Sequence, residues 1–303
     1  MRPAEVTVRA PGKVNLYLAV GALDGEGYHE VRTVLQAVSL YDELTAEPAE
    51  PGTVALTIEG EGAKVLATDE SNLAVRAARL LAAKTGVAEG VRLALRKQIP
   101  VAAGMAGGSA DAAAALVACD ALWGTGMSRV DLEVLGQGLG SDVPFSLSGG
   151  TALGTGHGDV LSPVLSRGTY HWVLAIAEGA LSTPTVYAEL DRYREELPRP
   201  ALWSHSDTLA AVRQGDPQAL AATLANDLQA PAIRLRPALS RVLEVGEELG
   251  AVAGLVSGSG PTCAFLARDA QDAVRLAAEL AGLGVCRQVR CADGPVHGAR
   301  LMS

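Results

Sequence analysis

Ten consecutive residues, Pro100-Val101-Ala102-Ala103-Gly104-Met105-Ala106-Gly107-Gly108-Ser109, carry no bulky polar side chain and run straight into the alanine-rich stretch Ala110–Trp123. Such a run can fold into few things. It predicts a loop that feeds a helix with its main chain left bare. The first N–H groups of a helix have no partner inside it, and the helix dipole adds partial positive charge at the same end. Glycine opens backbone conformations closed to other residues and lets the chain approach a ligand closely. Together these features predict an anion site suited to phosphate. The competing reading is an ordinary loop beside a tightly packed helix. The absence of bulky polar side chains over ten residues weighs against it.

The 303 residues suffice for two domains or one large one. Hydrophobic residues make up 49% and aromatic ones only 4%, so the core is expected to be built mainly from Ala, Val and Leu. A net charge of −9 disfavours nucleic acid or an anionic membrane as the main partner. No basic segment followed by an apolar stretch opens the sequence, and no run approaches the length of a membrane span, so a cytoplasmic protein is expected. Cys119, Cys263, Cys286 and Cys291 form no CxxC pair and are expected to be reduced thiols rather than zinc ligands. His157, His171, His205 and His297 likewise show no metal-ligand spacing.

Period-2 alternation predicts half-buried strands at Val14–Val20, Thr53–Glu59 and Val91–Leu95. Leu73, Ala77, Leu80 and Leu81 follow helical spacing, with Ser71 or Asn72 as N-cap and Gly86 as stop. Further helices are predicted over Ser109–Trp123, closed by Gly124, and over Asp131–Leu139. The glycine-rich stretch Gly149–Gly158 reads as a broken strand or a hairpin, with a domain boundary just after it. Trp172–Ala177 reads as a buried strand and Leu197–Ser206 as a proline-containing loop. Pro217–Asp227 and Pro237–Leu249 read as helices. Two strands around a glycine turn, Leu255–Val256 and Cys263–Leu266, precede a helix at Ala270–Leu280. Strands and helices mix without regular βαβ repeats, which predicts an α+β fold over a doubly wound sheet.

Four segments carry candidate chemistry. The turn Val256-Ser257-Gly258-Ser259-Gly260-Pro261-Thr262 is weak evidence alone, but paired with the first loop it could close the other side of a phosphate site. Asp142 follows Gly140-Ser141 and precedes Val143-Pro144-Phe145. Spacing alone favours a helix N-cap, although a carboxylate at a helix start also serves as a base that the dipole keeps ionised. Lys13, in Ala10-Pro11-Gly12-Lys13-Val14-Asn15, stands at the start of an alternating strand, where a charge at a sheet edge suits an anion contact. In Gly27-Tyr28-His29-Glu30, Tyr28 could stack on a ring and His29 could hydrogen-bond to one. The Walker pattern fails for want of a Gly-Lys-Ser/Thr ending, and the Rossmann glycine order is wrong. No HExxH or GxSxG occurs.

In their order along the chain, three segments resemble the motifs of the GHMP kinases (galactokinase, homoserine kinase, mevalonate kinase, phosphomevalonate kinase): Pro-Gly-Lys-Val-Asn, the glycine loop, and the late Ser-Gly-Ser-Gly-Pro-Thr turn. The resemblance is greatest to members that act on a cytidine-diphosphate conjugate. It rests there on Lys13-Val14-Asn15-Leu16, Gly27-Tyr28-His29-Glu30 and Gly140-Ser141-Asp142-Val143-Pro144-Phe145. It covers nearly the whole chain and is weakest in Leu190–Gly215.

The resemblance implies a two-domain GHMP kinase fold, residues 1–158 carrying the glycine loop and residues 159–303 forming the C-terminal domain, with the active site in the cleft between them. It implies ATP-dependent phosphorylation of a tertiary hydroxyl, the 2-hydroxyl of a methylerythritol unit, in the non-mevalonate route to isoprenoid precursors. On it, Asp142 is the general base and Lys13 the positive neighbour that keeps the carboxylate ionised and helps hold the hydroxyl for in-line attack. Pro100, Val101, Ala102, Ala103, Gly104, Met105, Ala106, Gly107, Gly108, Ser109 and Ala110 cradle the triphosphate. Ser109 reaches a phosphate or Mg²⁺, whose ligands are otherwise unassigned. Tyr28 and Tyr187 clamp the cytosine, His29 reads its edge, and Asn15, Lys97 and Thr183 touch polar groups of the substrate. The sequence departs from the pattern twice: Tyr187 stands where a phenylalanine can occur, and Ala110 where some members carry a second serine. The expected partners are the cytidine-diphosphate conjugate and ATP, with no nucleic acid or membrane, in a monomer or homodimer. Two other readings stand beside this one. A sister kinase for homoserine or a mevalonate-type acid needs no aromatic clamp. A non-catalytic ligand-binding member of the fold would be free to lose Lys13 and Asp142.

Overall fold

Two long antiparallel strands, β1 (Val6–Leu23) and β2 (His29–Ala49), organise the first half of the chain in the computed structural model, which describes residues 3–23, 25, 27–196 and 204–302. They are followed by β3 (Val54–Gly60), α1 (Leu73–Thr85), β4 (Gly90–Lys97), α2 (Gly107–Trp123), α3 (Arg129–Gln137) and α4 (Val143–Ser148). The glycine-rich stretch forms a hairpin of β5 (Thr151–Thr155) and β6 (Val160–Pro163), and β7 (Tyr170–Ile176) comes next. Then come α5 (Thr183–Glu196), α6 (Ser206–Gln214), α7 (Pro217–Ala221), β8 (Ala225–Asn226), α8 (Gln229–Leu235) and α9 (Ala238–Glu248). β9 (Ala253–Val256), β10 (Thr262–Ala267), α10 (Ala270–Leu283), β11 (Gln288–Gly294) and β12 (Arg300–Leu301) complete the order.

The strands form two sheets. The larger has the order β12-β1-β2-β4-β3, with β5 and β6 added beside β2 and with β8 parallel to β1; the smaller has the order β11-β7-β10-β9. The division expected at 158/159 falls in the turn between β5 and β6, both of which belong to the larger sheet. The smaller sheet is buried on both faces. Tyr170, Trp172 and Leu174 point into the core of the larger sheet, while Val173, Ala175 and Phe265 pack with Leu239, Val242 and Leu276 from the helices behind. Trp172 Nε1 donates to Gln36 Oε1 at 3.0 Å, a buried polar tie between the two sheets.

The predicted helix caps at 72 and 86 are realised: Asn72 Oδ1 accepts from Ala74 N at 2.9 Å, and Gly86 takes the left-handed conformation at φ 72°. α2 is apolar on nearly every side, and Ala112, Ala113, Ala114 and Ala115 are all fully buried. Methyl side chains let it lie close against the strands, as a helix apolar all round must. Two sequence expectations fail. Val14–Val20 is not half-buried, since Asn15, Tyr17 and Ala19 are as buried as Val14, Leu16, Leu18 and Val20; β1 runs between two cores. Pro217–Asp227 is not one helix, because α7 stops at Ala221 and the chain turns extended to pair with Tyr17 and Leu18 of β1. Most of the expected Leu197–Ser206 loop, residues 197–203, lies outside the described residues.

Candidate active site

A cavity of about 700 Å³ opens between the two sheets and their helices. One wall is the glycine loop. Pro100, Val101, Ala102, Ala103, Gly104, Ala106, Gly107 and Gly108 border the cavity. Met105 and Ala110, from the same expected set, are fully buried in the core instead, and Ser109 is not on the wall. Ala106 takes the N-cap position of α2 at φ 59° and provides no side-chain cap, so the helix start is left to whatever fills the cavity. Ala102, at φ 50°, is a second non-glycine residue in this region. Such residues cost of order 1–3 kcal/mol each, and the cost is typically found where a backbone must hold a ligand-binding shape.

The late glycine turn closes onto this loop. Ser257 Oγ donates to Gly104 O at 3.2 Å. Gly104 sits at φ 74°, and a Cβ there would run into Ser257 O, so the seam requires a residue without one. A Cβ on Gly258 would lie 3.1 Å from both Gly104 O and Lys13 Nζ. The two glycine clusters and Lys13 therefore meet at one point.

At Lys13, β1 has a strand partner on one side only, β2, as its position in the sequence suggested; on the other side its N–H donates to Met105 O of the glycine loop at 3.2 Å, and the residue is 6% exposed. Its ammonium donates to Asn15 Oδ1 at 2.6 Å and to Gly104 O at 2.8 Å. Asn15 in turn donates through Nδ2 to Thr33 Oγ1 at 2.8 Å, which fixes the amide. Burial pulls the Lys13 pKa below its ordinary 10.5, against the opposing pull of Asp142. Asp142 occupies the N-cap position of α4, but its side chain makes no capping hydrogen bond. The capping role favoured by spacing is thus not taken up. The carboxylate instead borders the cavity with Lys13 and Asn15.

A second lysine meets the same cavity in a different state. Lys97 Nζ is held between Asp42 Oδ2 at 2.6 Å and Asp111 Oδ2 at 2.7 Å, with its side chain 2% exposed. Asp42 Oδ1 also accepts from the backbone N–H groups of Gln98 and Ile99 at 2.6 and 2.8 Å. Burial works against the Lys97 charge, but Asp111 and then Asp42 outweigh it and hold the ammonium above 10.5. Burial pushes the Asp111 carboxyl well above the usual carboxylate range, with Lys97 opposing and Asp42 adding. Asp111 Oδ1 is buried without a partner. Lys97 was expected to touch substrate; it borders the cavity, and two of its three donors go to carboxylates under Gly107, which also ties it to the loop. Asp42 and Asp111 went unnoticed in the sequence, because neither stands in a motif and their pairing joins β2, β4 and α2.

On the far side of the cavity stand Thr183 and Tyr187 of α5. Thr183 Oγ1 and Ser259 Oγ are 2.9 Å apart, which ties α5 to the late turn. The Tyr187 phenol is pushed up to about 12, by burial first and Asp142 second, and stays protonated. Its ring lies 5.3 Å from that of His29. The His29 ring is not on the cavity wall. It is buried, its Nδ1–H donates to Gly21 O at 3.0 Å, and its Nε2 lies 3.4 Å from Asp191 Oδ2. Both ring nitrogens therefore face protein acceptors, contrary to the expectation that they read a base edge. Tyr28 is 59% exposed and meets the cavity rim through His157, on which it stacks at 5.1 Å. The sequence noted His157 only for lacking metal spacing.

Residues 72–150 match the family model of the GHMP kinases N terminal domain, and residues 208–285 that of the GHMP kinases C terminal domain. The chain is 61% identical to the 4-diphosphocytidyl-2-C-methyl-D-erythritol kinase of Salinispora tropica, over 98% of this chain and 94% of the relative. It is 57% identical to the enzyme of that name from Mycobacterium tuberculosis, over 98% and 93%. Among solved structures, a 4-(cytidine 5'-diphospho)-2C-methyl-D-erythritol kinase superposes with a TM-score of 0.78 at 35% identity, covering 96% of this chain and 99% of that one. A homoserine kinase from Cytophaga hutchinsonii shares the fold, with a TM-score of 0.74 at 19% identity over 99% and 98%.

Proposed function

The chain belongs to the GHMP kinases, and from that premise we infer that it transfers the γ-phosphate of ATP to the 2-hydroxyl of 4-diphosphocytidyl-2-C-methyl-D-erythritol, a step of the non-mevalonate route to isoprenoid precursors. The observation that carries the mechanism is that Lys13 and Asp142, from distant segments, border one cavity while the Asp142 side chain makes no capping hydrogen bond to its helix. Phosphoryl transfer asks a protein mainly for positioning and charge stabilisation. Asp142 is the group that takes the hydroxyl proton. Lys13, anchored by Asn15 and Gly104, brings a positive charge to that side of the cavity and orients the acceptor oxygen. The bare main chain at the start of α2 holds the triphosphate.

A Mg²⁺ ion on the phosphates fits the residues present. No group of three ligating side chains occurs among the described residues, so the phosphates would supply most of the coordination. Mg²⁺ is usually held by one or two carboxylates together with substrate phosphates, and Asp111 Oδ1 is a carboxyl oxygen without a partner on a residue bordering the cavity. When bound, the ion would screen the phosphate charge during transfer.

For the substrate, Asn15 and Thr183 provide polar contacts, and Tyr28 and Tyr187 stack on the cytosine. We assign residues 1–158 and 159–303 to the two domains, place the enzyme in the cytoplasm, and expect a monomer or homodimer. Among the described residues no helix is long and apolar enough to cross a membrane. The test is direct: purified protein, ATP and Mg²⁺ are given the cytidine substrate, homoserine and mevalonate in turn. Transfer to the cytidine substrate alone is the expected result. Transfer to either acid with none to the cytidine compound refutes the assignment.

A further inference from the structure

His157 is the ring bordering the cavity to which the reaction assigns nothing. It sits in the turn between β5 and β6, flanked by Gly156 at φ 68° and Gly158 at φ 91°. The turn is tied down on both sides. Val31 N donates to Gly156 O at 2.8 Å, and Gly158 N donates to Thr155 O at 3.0 Å. Its partner Tyr28 is placed quite differently, just ahead of β2 in the short connection from β1, beside Gly25 and Gly27 and largely in solvent. The two rings stack with centroids 5.1 Å apart and planes 29° from parallel.

The two tyrosines of the clamp therefore have unequal support. Tyr187 is set in a helix and packed against the buried His29. An exposed ring on a glycine-flanked connection loses rotamer freedom when it grips a ligand, and a fixed partner lowers that cost in advance. Stacked aromatic pairs also stabilise each other beyond the area they bury.

We propose that His157 is a specificity-determining residue for the base of the substrate: its ring orients Tyr28, and the pair forms one side of the aromatic clamp whose other side is Tyr187. The proposal rests on the cytidine-substrate assignment. His157 acts through Tyr28 and is in that sense a positioning residue. The phosphate wall and the Lys13–Asp142 pair are formed by other segments, so the effect is confined to base affinity.

The experiment compares wild type, H157A, H157F, Y28A and the H157A/Y28A double variant. It measures KM for the cytidine substrate, KM for ATP and kcat, with calorimetric titration of cytidine 5'-diphosphate as a probe independent of turnover. H157A is expected to raise the cytidine-substrate KM and the Kd for cytidine diphosphate about three- to tenfold, with kcat and the ATP KM unchanged. H157F should recover most of the loss, and in the Y28A background the H157A change should add little. An unchanged KM and Kd in H157A overturns the proposal. So does an equal rise in both KM values, which marks general loosening, or a fall, which marks a ring that obstructs the base. Full multiplicativity in the double variant overturns the action through Tyr28. If the wild type fails to phosphorylate the cytidine substrate, the assignment falls instead, and the cytidine diphosphate titrations alone decide for or against His157.

Discussion

Lys13 and Lys97 reach one cavity from two strands of the same sheet, and both are buried. Lys97 has two carboxylates within 2.7 Å and a pKa held up by them. Lys13 has two neutral acceptors and a carboxylate farther along the cavity wall, and burial draws its pKa down. The first cation has its charge balanced by the protein's own carboxylates and braces the glycine loop. The second is solvated only in part and has charge left for a ligand. Burial alone does not separate a structural lysine from a working one; the charge of its partners does.

The largest expected effect comes from taking away what Lys13 faces. D142N should retain ATP affinity and lose kcat by a factor of roughly 10² to 10⁴, the contribution of a positioned base; steady-state turnover with calorimetry of ATP binding checks it, and near-normal turnover would break the contrast outright. K97M should leave two buried carboxylates without their cation and destabilise the fold by about 3–5 kcal/mol, read by urea unfolding. K13M, by the same measurement, should cost far less stability while abolishing turnover. Equal losses in the two variants would erase the distinction between the lysines.

G104A should displace the carbonyl that accepts from Lys13, because its new methyl meets Ser257 O. We expect a loss of about 1–3 kcal/mol from the strained seam, with a raised KM for ATP. The pH dependence should have opposite signs at the two lysines. Lys13 has a native pKa below 10.5, so between that value and 10.5 the unfolded chain holds a proton the folded one has released, and stability rises with pH. Lys97 has a raised native value, so its contribution is complete below 10.5 and lost as pH rises through that higher value. Unfolding from about pH 8 upward should show wild type gaining on K13M up to 10.5, at no more than about 1.4 kcal/mol per pH unit; its margin over K97M should narrow only above 10.5. The smallest change belongs to Y187F. Its hydroxyl titrates near 12 and the ring is what stacks, so kcat and both KM values should move less than about threefold. A larger loss in kcat would make Tyr187, and not Lys13, the group that steers Asp142.

The loop that borders the cavity and opens α2 was legible because it depends on local properties: small residues, glycine and a helix start all lie within one stretch. α1 and the strand at 91 were legible from their clean periods, and α2 and the strand at 172 from unbroken runs of apolar residues. Asp142 was not. Its spacing points to a cap, and only the packed chain shows the carboxylate turned to the cavity. The Lys97 cluster was hidden because its three members lie on three elements, and a lone Asp in a strand or a helix carries no periodic signal. The segment after Pro217 misled for another reason. Asp216 caps a helix there, but Asp227 accepts from Val20 N and from Arg194, and the strand pairing this anchors cuts the helix short. α5 went unread because its buried Glu189, paired to Arg192 and Arg234, disguises the apolar face. The unequal support of the two clamp tyrosines was invisible as well, since His157 meets Tyr28 only after β5 has folded against β2.

The glycine-loop wall of the cavity, made mostly of main chain and small apolar side chains, bears on how an inhibitor could be evaded. An inhibitor that rests on it touches almost nothing a point mutation could remove, and at Gly104 there is no room for one to add anything. Substitution on that wall is costly to the fold itself. The same plainness makes it a poor place to tell one such enzyme from its cousins, so selective compounds should reach past it to the rings at 28, 157 and 187.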